Sequence, residues 1–282
     1  MSEQALREAV LAAATDGTFP DGRAGRFLSA AAEAAVVRDC GVSPRRVQIA
    51  ALENGVCPLR YARNLHALTL AEQARLLASR AALVGLGGLG GGLLETLVRS
   101  GVGSIAAADG DVFDETNLNR QLLSDCAAVG VSKAVVAAAR ARAVNPAVEF
   151  TARGAFLDQA GMAALLDGAD VAVDALGGLA DRPALAAAAA DRGIPLVTAA
   201  VAGYTIVIAT ALPHGPSPLA LFGGGAGTPA ENALGCPGPA VMAAAALQAA
   251  ETVRLLAGRA PALAGKALIM DLETMRCDTV TF

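Results

Sequence analysis

The sequence predicts an α/β fold, a mostly parallel sheet with an antiparallel extension, preceded by a helical N-terminal segment. Three observations carry this. The apolar run 81–84 leads into Gly85-x-Gly87-x-x-Gly90, and Leu93, Leu94, Leu97 and Val98 follow at helical spacing, so strand, turn and helix succeed one another. Apolar runs and helical patterns then alternate as far as Val201, as in successive βαβ units. Directly after that strand, residues 203–210 alternate in polarity, which reads as an antiparallel addition.

Composition narrows the possibilities. Of 282 residues, 54% are apolar but only 3% aromatic, with no Trp, so the core is expected to be Ala, Leu and Val in close helix–sheet contact. A net charge of -4 argues against nucleic acid as the main partner. No apolar run reaches the roughly 18 residues of a membrane span without Gly or charge, so no membrane partner is expected. The start lacks a basic stretch followed by an apolar one, so no signal peptide is expected. Cys40, Cys57, Cys126, Cys236 and Cys277 are odd in number and scattered, without a Cys-x-x-Cys pair. Neither a disulfide framework nor a four-thiolate zinc site is supported, and a reducing cytoplasm is the simplest setting.

Residues 1–56 read as a helical extension, with apolar spacing near 3 to 4, a turn at 17–22 and Ser43 as the N-cap of a short helix. Residues 57–282 read as a nucleotide-binding domain. Helix 68–77 delivers the chain to the strand before the glycine turn. In that turn Gly85 permits the tight bend, Gly87 lets a phosphate approach the backbone, and Gly90 lets the helix pack on the strand. The helix N-terminus offers free N–H groups to an anion. A second strand, 104–109, ends in Asp109, 19 residues after Gly90 and close to the roughly 20 expected of a ribose-binding acid. Together these describe a Rossmann-like site.

The polar stretch from Asp111 through Asn117 and Asn119 ends in Arg120 and Gln121, and Arg suits bidentate phosphate contacts. Lys133 falls in the first turn of a helix running to Arg142, where its charge opposes the dipole unless an anion sits there too. Further strands are expected at 148–152, 169–174 and 195–201, with helices at 163–165 and 182–191. Residues 222–229 read as a flexible loop, 240–256 as an Ala-rich helix, and 267–271 and 278–282 as closing strands.

Arg60-Tyr-x-Arg63-Asn, Val-Gly-Leu-Gly-Gly-Leu-Gly, Asp109-Gly-Asp111, Asn117-Leu-Asn-Arg120-Gln and Ser-Lys133 occur in this order, and Leu247-Gln248-Ala-x-Glu251 and Gly265-Lys266-Ala-Leu close the chain. The set resembles the ThiF/MoeB/HesA group, bacterial relatives of ubiquitin-activating enzymes, over about residues 57–282. The resemblance implies ATP and magnesium as cofactors, without zinc, and a homodimer. It implies a ubiquitin-like sulfur-carrier protein as partner, whose C-terminal Gly-Gly carboxylate is adenylated. It also implies that the turn Gly85, Gly87, Gly88 and Gly90 faces the nucleotide and that Asp109 holds the ribose. Asn117, Arg120, Gln121 and Lys133 would contact the phosphates, and Arg63 would act from the second subunit.

The chain departs from the family's Asp-x-x-Asp-Asn after the fourth strand. It reads Asp174-Ala-Leu-Gly177-Gly178, so the second carboxylate, which assists magnesium, is missing. Asp174 and Asp111 are the candidates to stand in, and Asp174 reads equally as a cap on the following turn. No residue is assigned as a dedicated metal ligand. Cys236 reads as structural or, less readily, as a reactive thiol. Two other functions stay open: a nucleotide-binding homologue whose adenylation is weakened or lost because of Gly177, and a nicotinamide-dependent oxidoreductase resting on the glycine turn alone.

Overall fold

The structure, a computed structural model, describes residues 2–225 and 227–282. The chain opens with α1 (Glu3–Ala13), β1 (Thr15–Thr18), β2 (Ala24–Leu28), α2 (Ala30–Cys40), α3 (Pro44–Glu53) and β3 (Val56–Pro58). Ser2, Ser29 and Ser43 cap the three helices, their hydroxyls accepting the amides of Ala5, Ala32 and Arg46. The N-terminal segment is therefore helical as expected except for a hairpin. The expected turn at 17–22 holds the end of β1 and the bend, and β1 pairs antiparallel with β2. The four residues of β1, Thr-Asp-Gly-Thr, are all exposed and carry no apolar alternation, so nothing in the sequence marked them as a strand. β3 pairs parallel with β2, so this small sheet spans the boundary expected after residue 56. Its core is Leu6, Val10, Leu28, Val36, Val47 and Val56.

The larger body contains α4 (Leu70–Ala78), β4 (Arg80–Val84), α5 (Gly88–Ser100), β5 (Ser104–Ala108), α6 (Lys133–Val144), β6 (Glu149–Arg153) and α7 (Gln159–Leu165). There follow β7 (Val171–Asp174), α8 (Arg182–Asp191), β8 (Leu196–Ala202), β9 (Thr205–Ala211), α9 (Glu231–Leu234), α10 (Gly238–Leu256), β10 (Lys266–Asp271) and β11 (Arg276–Thr281). Residues 218–225 wind as 3-10 turns, and Ala226, within the stretch expected to be a loop, lies outside the described residues.

One sheet runs β11-β10-β9-β8-β7-β4-β5-β6. β6, β5, β4, β7 and β8 pair in parallel, and β8, β9, β10 and β11 pair antiparallel. Alternate strand residues divide the core. Ala81, Leu83, Ile105 and Val173 pack under α5, α6 and α10, whereas Ala82, Val84, Ala106 and Ala172 pack under α7 and α8. The small residues let the layers close tightly: a Cβ on Gly92 of α5 would lie 2.7 Å from the Cβ of Ala245 on α10. Among the described residues no helix is long and apolar enough to cross a membrane.

A buried polar chain joins the two bodies. Gln48 of α3 donates to both carboxylate oxygens of Glu33, at 2.9 and 3.0 Å, and accepts from the Tyr61 hydroxyl at 3.0 Å. Asn145, just past α6, donates to that hydroxyl at 2.9 Å and to the carbonyl of Val98 at 3.1 Å. Burial pushes the Glu33 carboxyl up and the Tyr61 phenol to about 12, so Tyr61 stays a neutral donor.

Candidate nucleotide cleft

The strand order reverses between β4 and β7, and the crevice outside strand ends at such a point is where open α/β sheets bind ligands. A cleft of about 750 Å³ lies there, bounded by Val84, Ala108 and Ala175 at or just beyond the ends of β4, β5 and β7. Its floor is the glycine turn. Gly85 has φ +102°, and a side chain there would meet the carbonyl of Ala175 at 2.3 Å. Gly90 lies against the carbonyl of Gly85, where a Cβ would approach to 2.0 Å. Gly87 is under no such constraint: a Cβ would sit an ordinary 3.5 Å from the Gln121 amide, so its missing side chain leaves space for a ligand. Gly88, which lines the cleft, is also needed for packing, since its Cβ would press on Val241 of α10 at 2.9 Å. No side chain caps α5, so its first N–H groups remain open to an anion.

Asp109, Asp111, Asn117, Arg120, Gln121 and Lys133 all line this cleft with Gly85, Gly87 and Gly88. Asp109 accepts the Leu86 amide at 2.7 Å on one oxygen and the Asp111 amide at 2.9 Å on the other, which fixes the carboxylate while leaving lone pairs for hydroxyl donors. Asn117 is held by the amide of Asp114 at 3.2 Å, and Arg120 donates to the Thr116 carbonyl and Asn119 Oδ1, both at 2.8 Å. The Lys133 side chain is 7% exposed, and its Nζ lies 3.0 Å from Asp111 Oδ2. The anion that this first-turn lysine calls for is, in the protein alone, the Asp111 carboxylate. Gln121 is 7% exposed, and its Oε1 has no partner among the described residues.

Three expected site residues, Gly90, Asp174 and Arg63, do not line the cleft; Gly90 is buried against the Gly85 carbonyl. Asp174 is not among the residues that line the cleft. It is the last residue of β7 and buried; Oδ2 accepts from Arg182 Nη1 at 2.8 Å and from Thr198 at 2.6 Å, and Oδ1 accepts the Leu176 amide at 3.0 Å. The last bond is the turn cap anticipated as its alternative. Arg63 is exposed beyond the 3-10 turn Leu59–Tyr61 and does not line the cleft of its own chain. Cys236 lines the cleft half-buried, its Sγ 3.6 Å from the Val201 carbonyl. Burial and the nearby Glu231 carboxylate push this thiol up, which keeps it protonated and poorly nucleophilic.

The cleft also contains residues that no motif signalled. Phe156, Leu157 and Met162 form an apolar wall beside Asp109. Glu231 of α9 accepts the Gly178 amide at 3.1 Å, and Asp181 stands before α8. Among the described residues no group of three or more His, Cys, Asp or Glu side chains is placed to hold a metal. Single carboxylates around a phosphate-sized floor fit magnesium, which is commonly held by one or two carboxylates together with substrate phosphates.

Residues 61–282 match the model of the ThiF family. The chain belongs to the ThiF family. This ThiF-family chain is 35% identical over 213 residues to the SAMP-activating enzyme E1 of Haloferax volcanii, covering 74% of this chain and 79% of that protein. It is 33% identical over 228 residues to the molybdopterin-synthase adenylyltransferase of Escherichia coli, covering 77% and 89%. Against the sulfur carrier protein ThiS adenylyltransferase of Escherichia coli it is 32% identical over 148 residues, covering 52% and 59%. The crystal structure of Escherichia coli MccB with ATP shares the fold at a TM-score of 0.67 and 18% identity, covering 88% of this chain and 82% of that one.

Proposed function

We propose that this chain binds magnesium-ATP in the cleft and adenylates the C-terminal Gly-Gly carboxylate of a ubiquitin-like sulfur-carrier protein. The carboxylate oxygen attacks the α-phosphorus, the bond to the bridging oxygen breaks, and pyrophosphate leaves with that electron pair. The observation that carries this is the convergence of Asp109, Asn117, Arg120, Gln121 and Lys133 from separate stretches onto one glycine floor. The adenylyltransferase names of the relatives support it and favour neither the homologue without chemistry nor the nicotinamide reading.

Little covalent work falls to the protein. The open amides of α5 and the Arg120 and Lys133 cations hold and neutralise the phosphates, Asp109 orients the ribose, and the carboxylate need only be positioned. Magnesium, when bound, adds neutralisation of phosphoryl oxygens as pyrophosphate departs. Arg63 acts from the partner subunit of a homodimer, a reading supported by its position outside its own cleft. The aliphatics Val112, Leu122 and Val135 support the same reading, being 53%, 47% and 61% exposed on the segment that leads from the cleft. The free cysteines suit a cytoplasmic setting.

Carrier-dependent exchange of labelled pyrophosphate into ATP is the test. The parent should exchange, and Lys133→Ala should lose about ten- to a hundredfold in ATP affinity or turnover while keeping its fold, since hydrogen bonds to charged groups contribute about 1.5–3 kcal/mol. Absence of exchange with every Gly-Gly carrier, alongside tight NAD binding and no ATP binding, overturns the reading.

A further inference from the structure

We infer that Asp181 ligates the magnesium of the bound nucleotide, replacing a carboxylate that Gly177 cannot supply. This rests on the magnesium-ATP reading above. Both residues line the cleft, four positions apart on the turn between β7 and α8. Gly177 is exposed, and a Cβ built on it meets nothing within 4 Å, so there is open space at the position itself and no side chain to fill it.

The other acids are engaged or buried. Asp109 accepts two backbone amides, Asp111 pairs with Lys133, Glu231 accepts the Gly178 amide, and Asp174 is sealed against Arg182. Asp181 is exposed and its carboxylate caps no amide of α8, although it occupies the position before a helix where Asp ordinarily caps. Its backbone, at φ -92° and ψ -9°, is not in the extended conformation typical of a cap. The neighbouring Arg182 fixes that backbone. Its guanidinium donates inward to Asp174, Thr198 and the carbonyls of Leu176, Gly178 and Ala199, which holds residue 181 at the cleft. Gln121 lines the same cleft, and its buried Oε1 has no hydrogen-bond partner among the described residues, which independently points to a ligand in the cleft. An unpaired carboxylate beside a triphosphate would repel it, whereas magnesium binds both.

The experiment is calorimetric titration of the full chain with ATP, once with magnesium and once with excess EDTA. The parent should bind at least about tenfold more tightly with magnesium, within the usual range of coupling between two ligands. Asp181→Asn should bind ATP in EDTA at least as well as the parent but lose the magnesium gain. Adding Gly177→Asp to Asp181→Asn should restore it. Retention of the full gain in Asp181→Asn, or no recovery in the folded double variant, overturns the assignment. ATP binding by the parent in EDTA with no magnesium gain overturns this assignment alone, whereas no ATP binding under either condition overturns the functional reading as well.

Discussion

Asp174 and Arg182 are 2% and 3% exposed at the side chain and form a charged pair inside the larger body. Burial pushes the Asp174 carboxyl up, and Arg182, Thr198 and the Leu176 amide oppose the shift. Breaking such a pair leaves an uncompensated buried cation, so Asp174→Asn should lower stability by about 3–5 kcal/mol, read from a chemical-denaturation midpoint. A change of the size of a surface substitution would show that the pair is not what holds this turn. The residue scale is also where the sequence was least informative. Asp109 and Lys133 were legible because each stands at a recognisable offset from a turn or helix start, and Arg120 because it closes a polar stretch with a phosphate-binding group. Asp174 and Asp181 were not, because one ends β7 and the other precedes α8, and only the inward turn of Arg182 decides which carboxylate is sealed and which lines the cleft. The partner role of Arg182 was equally invisible, since it reads only as the first residue of a helix.

At the scale of elements, α5 and α10 cross where Gly92 meets Ala245, and an added methyl group would stand 2.7 Å from its neighbour. Gly92→Ala should therefore force the helices apart and lower stability by about 1–3 kcal/mol, as overpacked cores do. Ala245→Gly in the same chain should recover most of the loss in thermal unfolding, and additive losses would refute the contact. The central strands and their helices were readable because buried parallel strands are continuous apolar runs, and α8 starts and stops where its pattern does. The β1–β2 hairpin was not, since β1 is held by backbone pairing and its side chains, all in solvent, carry no alternation. Its pairing onward through β3 carries the small sheet across residue 56, where the helical spacing of the first segment stops.

For the whole molecule, the cleft takes residues from both sides of the strand reversal, while Arg63 lies outside it. If Arg63 completes the neighbouring site in a homodimer, mixing Arg63→Ala subunits with Lys133→Ala subunits should restore one working site in each mixed dimer, about a quarter of parental turnover after random exchange. No recovery, or a strict monomer in sedimentation, rules this out. The joint between the two bodies has a consequence of another kind. The chain has no Trp and two Tyr. Tyr204 is 46% exposed between β8 and β9, and Tyr61 is fully buried in the polar chain linking Glu33 to Asn145. Ultraviolet emission beyond the weak phenylalanine signal thus originates at two points. With Tyr204→Phe it originates at one, and the protein then carries its own optical gauge of whether the N-terminal body is seated on the sheet.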